Sequence, residues 1–287
     1  MSKYIIQKAI DRKDMSAKAL KAMDGKRYGL QPKWDGCHLV VKFHSKGFGC
    51  ESATGEEVRS CGHIGDALVD SAGSFDLDGY AITGEVWKEN TPFPDISGSF
   101  RRHAAQPDLK FVVLDIVKLD QHGELNDSRG WEERIRTVAL KEHPSLIWVG
   151  LRDPRIIPPV KYAEDLKAAG GYDGAILRDV NAPYKVGRCR DGEVIKVKPL
   201  LSLDLMCVGH VADIGEKTGR PTVALLVTLG GGKIGKVATG LTHAQQANPG
   251  QFSGYIIEVE AMGWTEDGLL REPRFKGVRH DKVAADR

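Results

Sequence analysis

The sequence predicts an α+β protein of two domains, the second of them a small β-barrel. The chain has 287 residues, and domains commonly contain about 100–200 residues. Up to Pro199, apolar runs typical of strands alternate with helical patterns. Beyond Pro199, short β-like runs are separated by glycine-rich turns, a pattern typical of small barrels.

The first domain is predicted to contain several strands with helices between them. The predicted strands cover residues 39–43, 80–87, 110–117, 175–178 and 194–197, and the predicted helices cover 16–23, 62–73, 130–142 and 163–169. The run from Phe111 to Leu114 is continuously apolar, as expected for a strand buried on both faces. In the helix over 130–142, the periodicity places Trp131 inward and Arg134 outward.

The second domain is predicted from four short strands. They cover residues 205–211, 222–229, 233–238 and 255–261, with turn clusters at 215–219, 230–232 and 248–250. We therefore expect a boundary between residues 200 and 201.

Composition excludes several classes of protein. Hydrophobic residues make up 41% and charged residues 28% of the chain, which is ordinary for a globular protein. The formal net charge of +2 does not by itself indicate a nucleic-acid partner. The five cysteines include no closely spaced pair, which favours reduced thiols in a cytoplasmic protein over disulfides or a zinc site. No run approaches the ~20 apolar residues of a membrane span.

Lysines mark two of the predicted strand ends. Lys33 lies between two strands and is followed by Asp35 and Gly36, which indicate a tight turn. Strand alternation places Lys196 and Lys198 on one face. Two ammonium groups at this spacing repel each other unless an anion lies between them, and a phosphate is the natural candidate.

Two carboxylates and a basic C-terminal segment are further candidates for a functional site. Glu85 and Asp173 each lie beside a predicted strand and could supply oxygen ligands to Mg²⁺ or a partner for a ribose hydroxyl. Arg279, Asp281 and Lys282 lie close together near the end of the sequence. Each segment alone also fits a solvated turn, a lysine-guarded edge strand or a solvated terminus. The ordered combination is more specific than any single segment.

In chain order, the patterns Lys-x-Asp-Gly, Gly-Glu, Asp-Gly, Lys-x-Lys and Arg-x-Asp-Lys resemble the motifs of the covalent nucleotidyltransferase superfamily. That superfamily comprises ATP-dependent DNA ligases, RNA ligases and mRNA capping enzymes. The resemblance extends from Gln31 to Lys282, and residues 183–188, 238–241 and 269–275 also look ligase-like. The sequence is most similar to the minimal, bacteriophage-type ATP-dependent DNA ligases.

This resemblance implies a nucleotidyltransferase (adenylation) domain over residues 1–200, with antiparallel sheets and flanking helices, and a β-barrel OB-fold domain over residues 201–287. The implied enzyme seals 3′-OH/5′-phosphate nicks in duplex DNA through a lysyl-AMP and a DNA-adenylate, in DNA replication, repair and recombination. It would use ATP with Mg²⁺ or Mn²⁺. We expect a monomer that binds nicked duplex DNA in a bacterial or phage-infected cytoplasm, without a membrane. An RNA ligase, a capping-type nucleotidyltransferase and a non-catalytic nucleic-acid-binding relative stay open as alternatives.

The resemblance also assigns roles to individual residues, with Lys33 as the nucleophile. The implied catalytic residues are Lys33, Asp35, Lys196, Lys198, Asp281 and Lys282. The implied nucleotide contacts are Gln31, Pro32, Lys33, His38, Ser52, Glu85, Phe111, Leu114, Lys196, Lys198 and Arg279. The implied metal ligands are Glu85 and Asp173.

Four positions depart from the pattern of the family. His38 and Ala53 stand where the family has arginines that contact phosphate or ribose, and Ile195 replaces an aromatic residue. Leu114 replaces the aromatic residue that stacks on adenine, which leaves Phe111 as a candidate for stacking, although strand alternation favours a place in the core. The sequence therefore leaves open which groups hold the 5′-phosphate of the nick. A protonated His38 is one candidate.

Overall fold

The structure is a computed structural model that describes residues 4–11, 15, 23, 25–214, 219, 221–265 and 267–286. The chain divides into two compact units, which we call unit 1 (Met1–Lys198) and unit 2 (Pro199–Arg287). The helix predicted over 16–23 lies outside the described residues, apart from Met23 in a turn. Within the described ranges, no helix is long and apolar enough to cross a membrane.

Unit 1 contains eleven described strands, and its predicted strands are all present. In chain order they are Gln7–Lys8 (β1), Ile10–Asp11 (β2), Tyr28–Trp34 (β3), Cys37–His44 (β4), Gly47–Ser52 (β5), Tyr80–Trp87 (β6), Lys110–Lys118 (β7), Leu146–Trp148 (β8), Tyr172–Asp179 (β9), Gly187–Arg188 (β10) and Val194–Val197 (β11). One sheet has the order β5-β4-β6-β7-β8 and the other β2-β11-β9-β3, while β1 pairs with β10. The pairing is antiparallel, as expected, except at β1/β10, β2/β11 and β7/β8.

Four described helices flank these sheets. They are Gly62–Ala72 (α1), Phe93–Phe100 (α2), Trp131–Ile135 (α3) and Pro159–Ala169 (α4). The core beneath the five-stranded sheet joins Ile64 and Leu68 of α1 to Phe111 and Ile116 of β7. A second core packs α4 on the four-stranded sheet. Burial of these apolar faces is the main stabilising contribution.

The helix predicted over 130–142 is wrong in its length, because α3 ends at Ile135. The hydroxyl of Thr137 donates to the carbonyl of Glu133, and the Thr137 N–H donates to the carbonyl of Arg134 instead. A side chain that competes for a helix carbonyl in this way favours termination of the helix. The next residues therefore continue as turns.

The outward orientation predicted for Arg134 is also wrong. Its side chain is only 1% exposed, and its guanidinium donates to both carboxylate oxygens of Asp115, at 2.9 and 2.8 Å. Arg178 of β9 lies 3.5 Å from the same carboxylate. Asp115 belongs to β7, so one buried carboxylate connects the two large sheets and α3. Helical periodicity misplaced Arg134 because it treats a charged residue as exposed, whereas a paired charge can be buried.

Unit 2 is a single five-stranded sheet. Its strands are Leu201–Ile214 (β12), Pro221–Thr228 (β13), Ile234–Val237 (β14), Ile256–Ala261 (β15) and Arg274–Val278 (β16), in the order β14-β13-β12-β15-β16. A single parallel bridge between Thr239 and Arg274 links the two ends of the sheet. This partly open arrangement is that of an OB-fold.

The sequence did not predict three described elements of unit 2. They are β16, the short helix His243–Ala247 (α5) and the 3-10 helix Pro249–Phe252. Thr242 caps α5, because its hydroxyl accepts from the N–H of Gln245 while the Gln245 side chain accepts from the N–H of Thr242. This reciprocal pairing is a capping box. Such short elements give too little periodicity to be recognised from the sequence.

We expect Asp115→Ala to lower the free energy of unfolding by about 3–5 kcal/mol, because it would leave the Arg134 guanidinium buried without its partner. Chemical denaturation followed by circular dichroism measures this loss. Asp153→Ala removes an exposed ion pair with Arg155 and is the matched control, with little effect expected. Equal stability of the two variants would contradict a structural role for the buried network.

Candidate functional site

Many of the predicted site residues meet in a cavity of about 330 Å³ in unit 1, which we call the lysine cavity. It lies where β3, β9 and β11 run side by side. The predicted residues that line it are Gln31, Pro32, Lys33, His38, Glu85, Leu114, Lys196 and Lys198. Residues distant in sequence are thus brought to one site by strand pairing.

The register of β9 places Asp173 between two of these lysines. Lys33 pairs with Gly174 across β3 and β9, and a bulge follows at Trp34. On the other side of β9, Ala175 pairs with Val197. Gly174 has a φ of +127°, and a side chain there would approach the carbonyl oxygen of Val197 to 2.4 Å. The glycine is therefore needed for the close approach of β9 and β11 beside Asp173.

The carboxylate of Asp173 bridges Lys33 and Lys198. Its Oδ2 lies 2.7 Å from the Nζ of Lys33 and 2.7 Å from the Nζ of Lys198. Burial raises the pKa of Asp173, but attraction to Lys33 and hydrogen bonds from both lysines outweigh burial and hold the pKa below its usual value. Asp173, predicted as a metal ligand, is thus an ionised partner of two lysines in this structure.

Further cations line the lysine cavity that the sequence did not predict. Lys8 and Arg178 contribute to its wall together with the predicted Lys196. Arg178 lies near the end of β9, and its Nε donates to the Oε1 of Gln31 at 3.3 Å. Lys8 belongs to β1, which pairs with β10. Arg178 could have been recognised as the one charge in the predicted strand 175–178, whereas nothing in the sequence marks Lys8.

His38 and Glu85 lie side by side at the edge of the lysine cavity, on the paired strands β4 and β6. The Nε2 of His38 is 2.6 Å from the Oγ1 of Thr83, and its Nδ1 is 3.4 Å from the Oε2 of Glu85. Both ring nitrogens therefore already have partners. The imidazole is held in place by the protein rather than presented to an anion.

The stacking role predicted for Phe111 is wrong. Phe111 is fully buried, and its ring packs against Gly84 in the core of the five-stranded sheet. Leu114 is three residues further along β7, so its side chain points to the opposite face and lines the lysine cavity. Strand alternation had indicated this outcome for Phe111.

Ser52, a predicted nucleotide contact, does not line the lysine cavity itself. Its hydroxyl accepts from the N–H groups of Thr54 and Glu56, which stabilises the turn after β5. Ser52 instead lines a neighbouring cavity of about 590 Å³, which we call the arginine cavity. The arginine cavity is also lined by His38, Ala53, Glu56, Glu57, Arg59, Arg101, Arg102 and His103. His38 belongs to both cavities, so they adjoin.

Asp35 occupies the turn between β3 and β4, and its N–H donates to the carbonyl of Gly171 at 3.2 Å. Gly36 follows, where a side chain would approach the carbonyl oxygen of Val86 to 2.2 Å. The turn therefore depends on the absence of a side chain at Gly36. Neither residue's position tests the catalytic role predicted for Asp35.

The remaining predicted residues belong to unit 2. Arg279 donates to both oxygens of Asp204, at 3.0 and 2.9 Å, and to both oxygens of Asp281, at 2.9 and 2.7 Å. Lys282 also pairs with Asp204, a buried residue that the sequence did not single out. The hydrogen bonds from Arg279 lower the pKa of Asp281 to about 2. The segment is therefore anchored to β12 rather than solvated.

Comparison with known proteins agrees with this architecture. A family model described as a DNA ligase OB-like domain matches residues 217–279. A DNA ligase of Methanothrix thermoacetophila is 33% identical over 247 residues, which cover 73% of this chain and 44% of that protein. A probable DNA ligase of Kineococcus radiotolerans is 29% identical over 246 residues, which cover 75% of this chain and 47% of that protein. The chain thus spans about half the length of these curated relatives.

Solved structures show the same fold over nearly the whole chain. A Lig E DNA ligase structure has a TM-score of 0.64 at 17% identity and covers 96% of this chain and 98% of its own. The ATP-dependent DNA ligase of bacteriophage T7, in complex with ATP, has a TM-score of 0.54 at 19% identity, with coverage of 96% and 98%. The chain is thus similar to DNA ligases in the sequence of its OB-like domain, in its sequence relatives and in its fold.

Proposed function

We propose that this protein is an ATP-dependent DNA ligase that seals nicks in duplex DNA through AMP bound to Lys33. The observation that carries the proposal is the group of cations around Asp173, with Lys33, Lys196 and Lys198 lining one cavity. A cavity lined by cations attracts the negatively charged phosphates of a nucleoside triphosphate. Unit 1 would act as the adenylation domain, and unit 2 would act as an OB-fold that contacts the DNA.

In the first step, the amine of Lys33 would attack the α-phosphate of ATP. The nitrogen–phosphorus bond forms, the bond to pyrophosphate breaks, and the proton of the lysine passes to solvent. Lys196 and Lys198 would stabilise the negative charge that develops on the phosphate. Asp173 would hold the Lys33 side chain within the cavity until the nucleotide binds.

A divalent cation would bind with the nucleotide. Across the described residues, no group of three His, Cys, Asp or Glu side chains is placed to hold a metal ion. Mg²⁺ commonly binds through one or two carboxylates together with substrate phosphates, and it offsets their negative charge. Glu85 and Asp173 are the carboxylates we assign to it.

Later steps would pass AMP to the 5′-phosphate of the nick and then join the 3′-hydroxyl to that phosphate, with release of AMP. The most direct test is incubation of the protein with ATP and a labelled nicked duplex. We expect a sealed strand whose formation needs ATP and a 5′-phosphate. Binding of the nicked duplex without any sealing would favour a non-catalytic relative.

We expect Lys33→Ala to abolish the covalent adduct with radiolabelled ATP, because it removes the nucleophile of the first step. Sealing of a nick that already carries AMP should persist in part, since that reaction does not need the lysine adduct. Lys42→Ala, which removes a lysine paired with Glu51, is the matched control and should form the adduct normally. Adduct formation by Lys33→Ala would overturn the assignment of the nucleophile.

Lys282→Ala and Asp281→Ala test whether the end of unit 2 acts in the first step, as the resemblance implies. If these residues orient the departing pyrophosphate, self-adenylation should fall strongly while sealing of a pre-adenylated nick persists. If they only stabilise unit 2 through Asp204, both reactions should fall together. Lys276→Ala, which removes an ion pair with Glu260, is the control. Equal losses in a folded variant would contradict the step-specific role.

A further inference from the structure

The arginine cavity, of about 590 Å³, adjoins the lysine cavity at His38. Its wall combines the turn after β5 with residues that follow α2. Arg101 and Arg102 come directly after α2. Arg101 lines this cavity together with Gly36 and Cys37, and its charge acts to lower the pKa of the Cys37 thiol, which burial raises to about 11. The end of α2 is thus close to the turn that follows Lys33.

Not every arginine that lines the arginine cavity is paired with a carboxylate. Arg59 pairs with Glu57 at 3.0 Å. Within the described part of the chain, Arg101 and Arg102 form no ion pair with a carboxylate. Both side chains are exposed at the cavity. Two unpaired guanidinium groups, which can each donate two parallel hydrogen bonds, make an anion the natural occupant.

Other residues of the cavity are less suited to hold an anion. The two ring nitrogens of His38 already contact Thr83 and Glu85. Ala53 has no polar side-chain atom, and the hydroxyl of Ser52 accepts hydrogen bonds from its own turn. Glu56 and Glu57 repel anions at this wall of the cavity. The guanidinium groups without a carboxylate partner at this cavity, among the described residues, are therefore those of Arg101 and Arg102.

The chemistry of AMP transfer identifies the anion. An oxygen of the acceptor phosphate must attack the phosphorus bound to Lys33. That bond forms as the bond from phosphorus to the lysine nitrogen breaks, and the nitrogen then takes up a proton. The acceptor must therefore bind next to the lysine cavity, where the arginine cavity lies. We infer that Arg101 and Arg102 bind the terminal 5′-phosphate of the nick, an inference that rests on the proposed ligase function.

The test uses full-length protein that already carries AMP from labelled ATP. Its binding and single-turnover AMP transfer are measured with two duplexes that differ only in a 5′-phosphate or a 5′-hydroxyl at the nick. The wild type should bind the phosphorylated nick more tightly. In the R101A/R102A variant, this preference and the rate of transfer should both fall about tenfold or more, since hydrogen bonds between charged groups contribute on that order. R101K/R102K should restore only part of the preference.

Arg155→Ala is the matched control, because Arg155 is an exposed arginine of unit 1 outside both cavities. It should keep the full preference. An unchanged preference in R101A/R102A would overturn the inference, and so would an equal loss of binding to both nicks, which would place internal backbone phosphates at the arginines. The single variants R101A and R102A give the same readout if the double variant does not fold. Failure of the wild type to form the adduct would instead overturn the proposed function.

Discussion

The buried carboxylate of Asp115 is the constraint on which the geometry of unit 1 depends. It holds Arg134 of α3 and Arg178 of β9 in a region that solvent barely reaches. Since Asp115 lies on β7, the interaction connects the five-stranded sheet to the four-stranded sheet. Arg178 then extends the contact to Gln31, two residues before Lys33. Buried ions are stable only when paired, so the network fixes how the two sheets meet.

The lysine cavity of the candidate site is lined by residues from both of these sheets. Strand pairing brings Asp173 between Lys33 and Lys198, and a close approach at Gly174 keeps the strands near enough for both contacts. The lysine cavity and the arginine cavity share His38. We propose that a nucleotide and a DNA end bind in these adjoining cavities, so that AMP can move between them over a short distance.

Much of this could be predicted from the sequence, because the strands and the ordered motifs are local patterns. Five of the eleven described strands of unit 1 follow from apolar runs, and Lys33, Lys196 and Lys198 of the lysine cavity follow from motif spacing. Arg134 could not be placed, since its burial depends on Asp115, nineteen residues earlier in the chain. The same limit applies to Lys8 and Asp204, whose partners are known only once the strands pair. Long-range ion pairs leave no periodic pattern in the sequence.

The central claim is that Lys33 accepts AMP from ATP, and peptide mapping by mass spectrometry tests it most directly. The protein is incubated with ATP and a divalent cation, digested, and its modified peptide is fragmented to locate the added group. The account predicts one AMP on the peptide that contains Lys33, with the modification on its side chain. AMP found only on another residue, or no AMP on a folded protein that binds ATP, would contradict it.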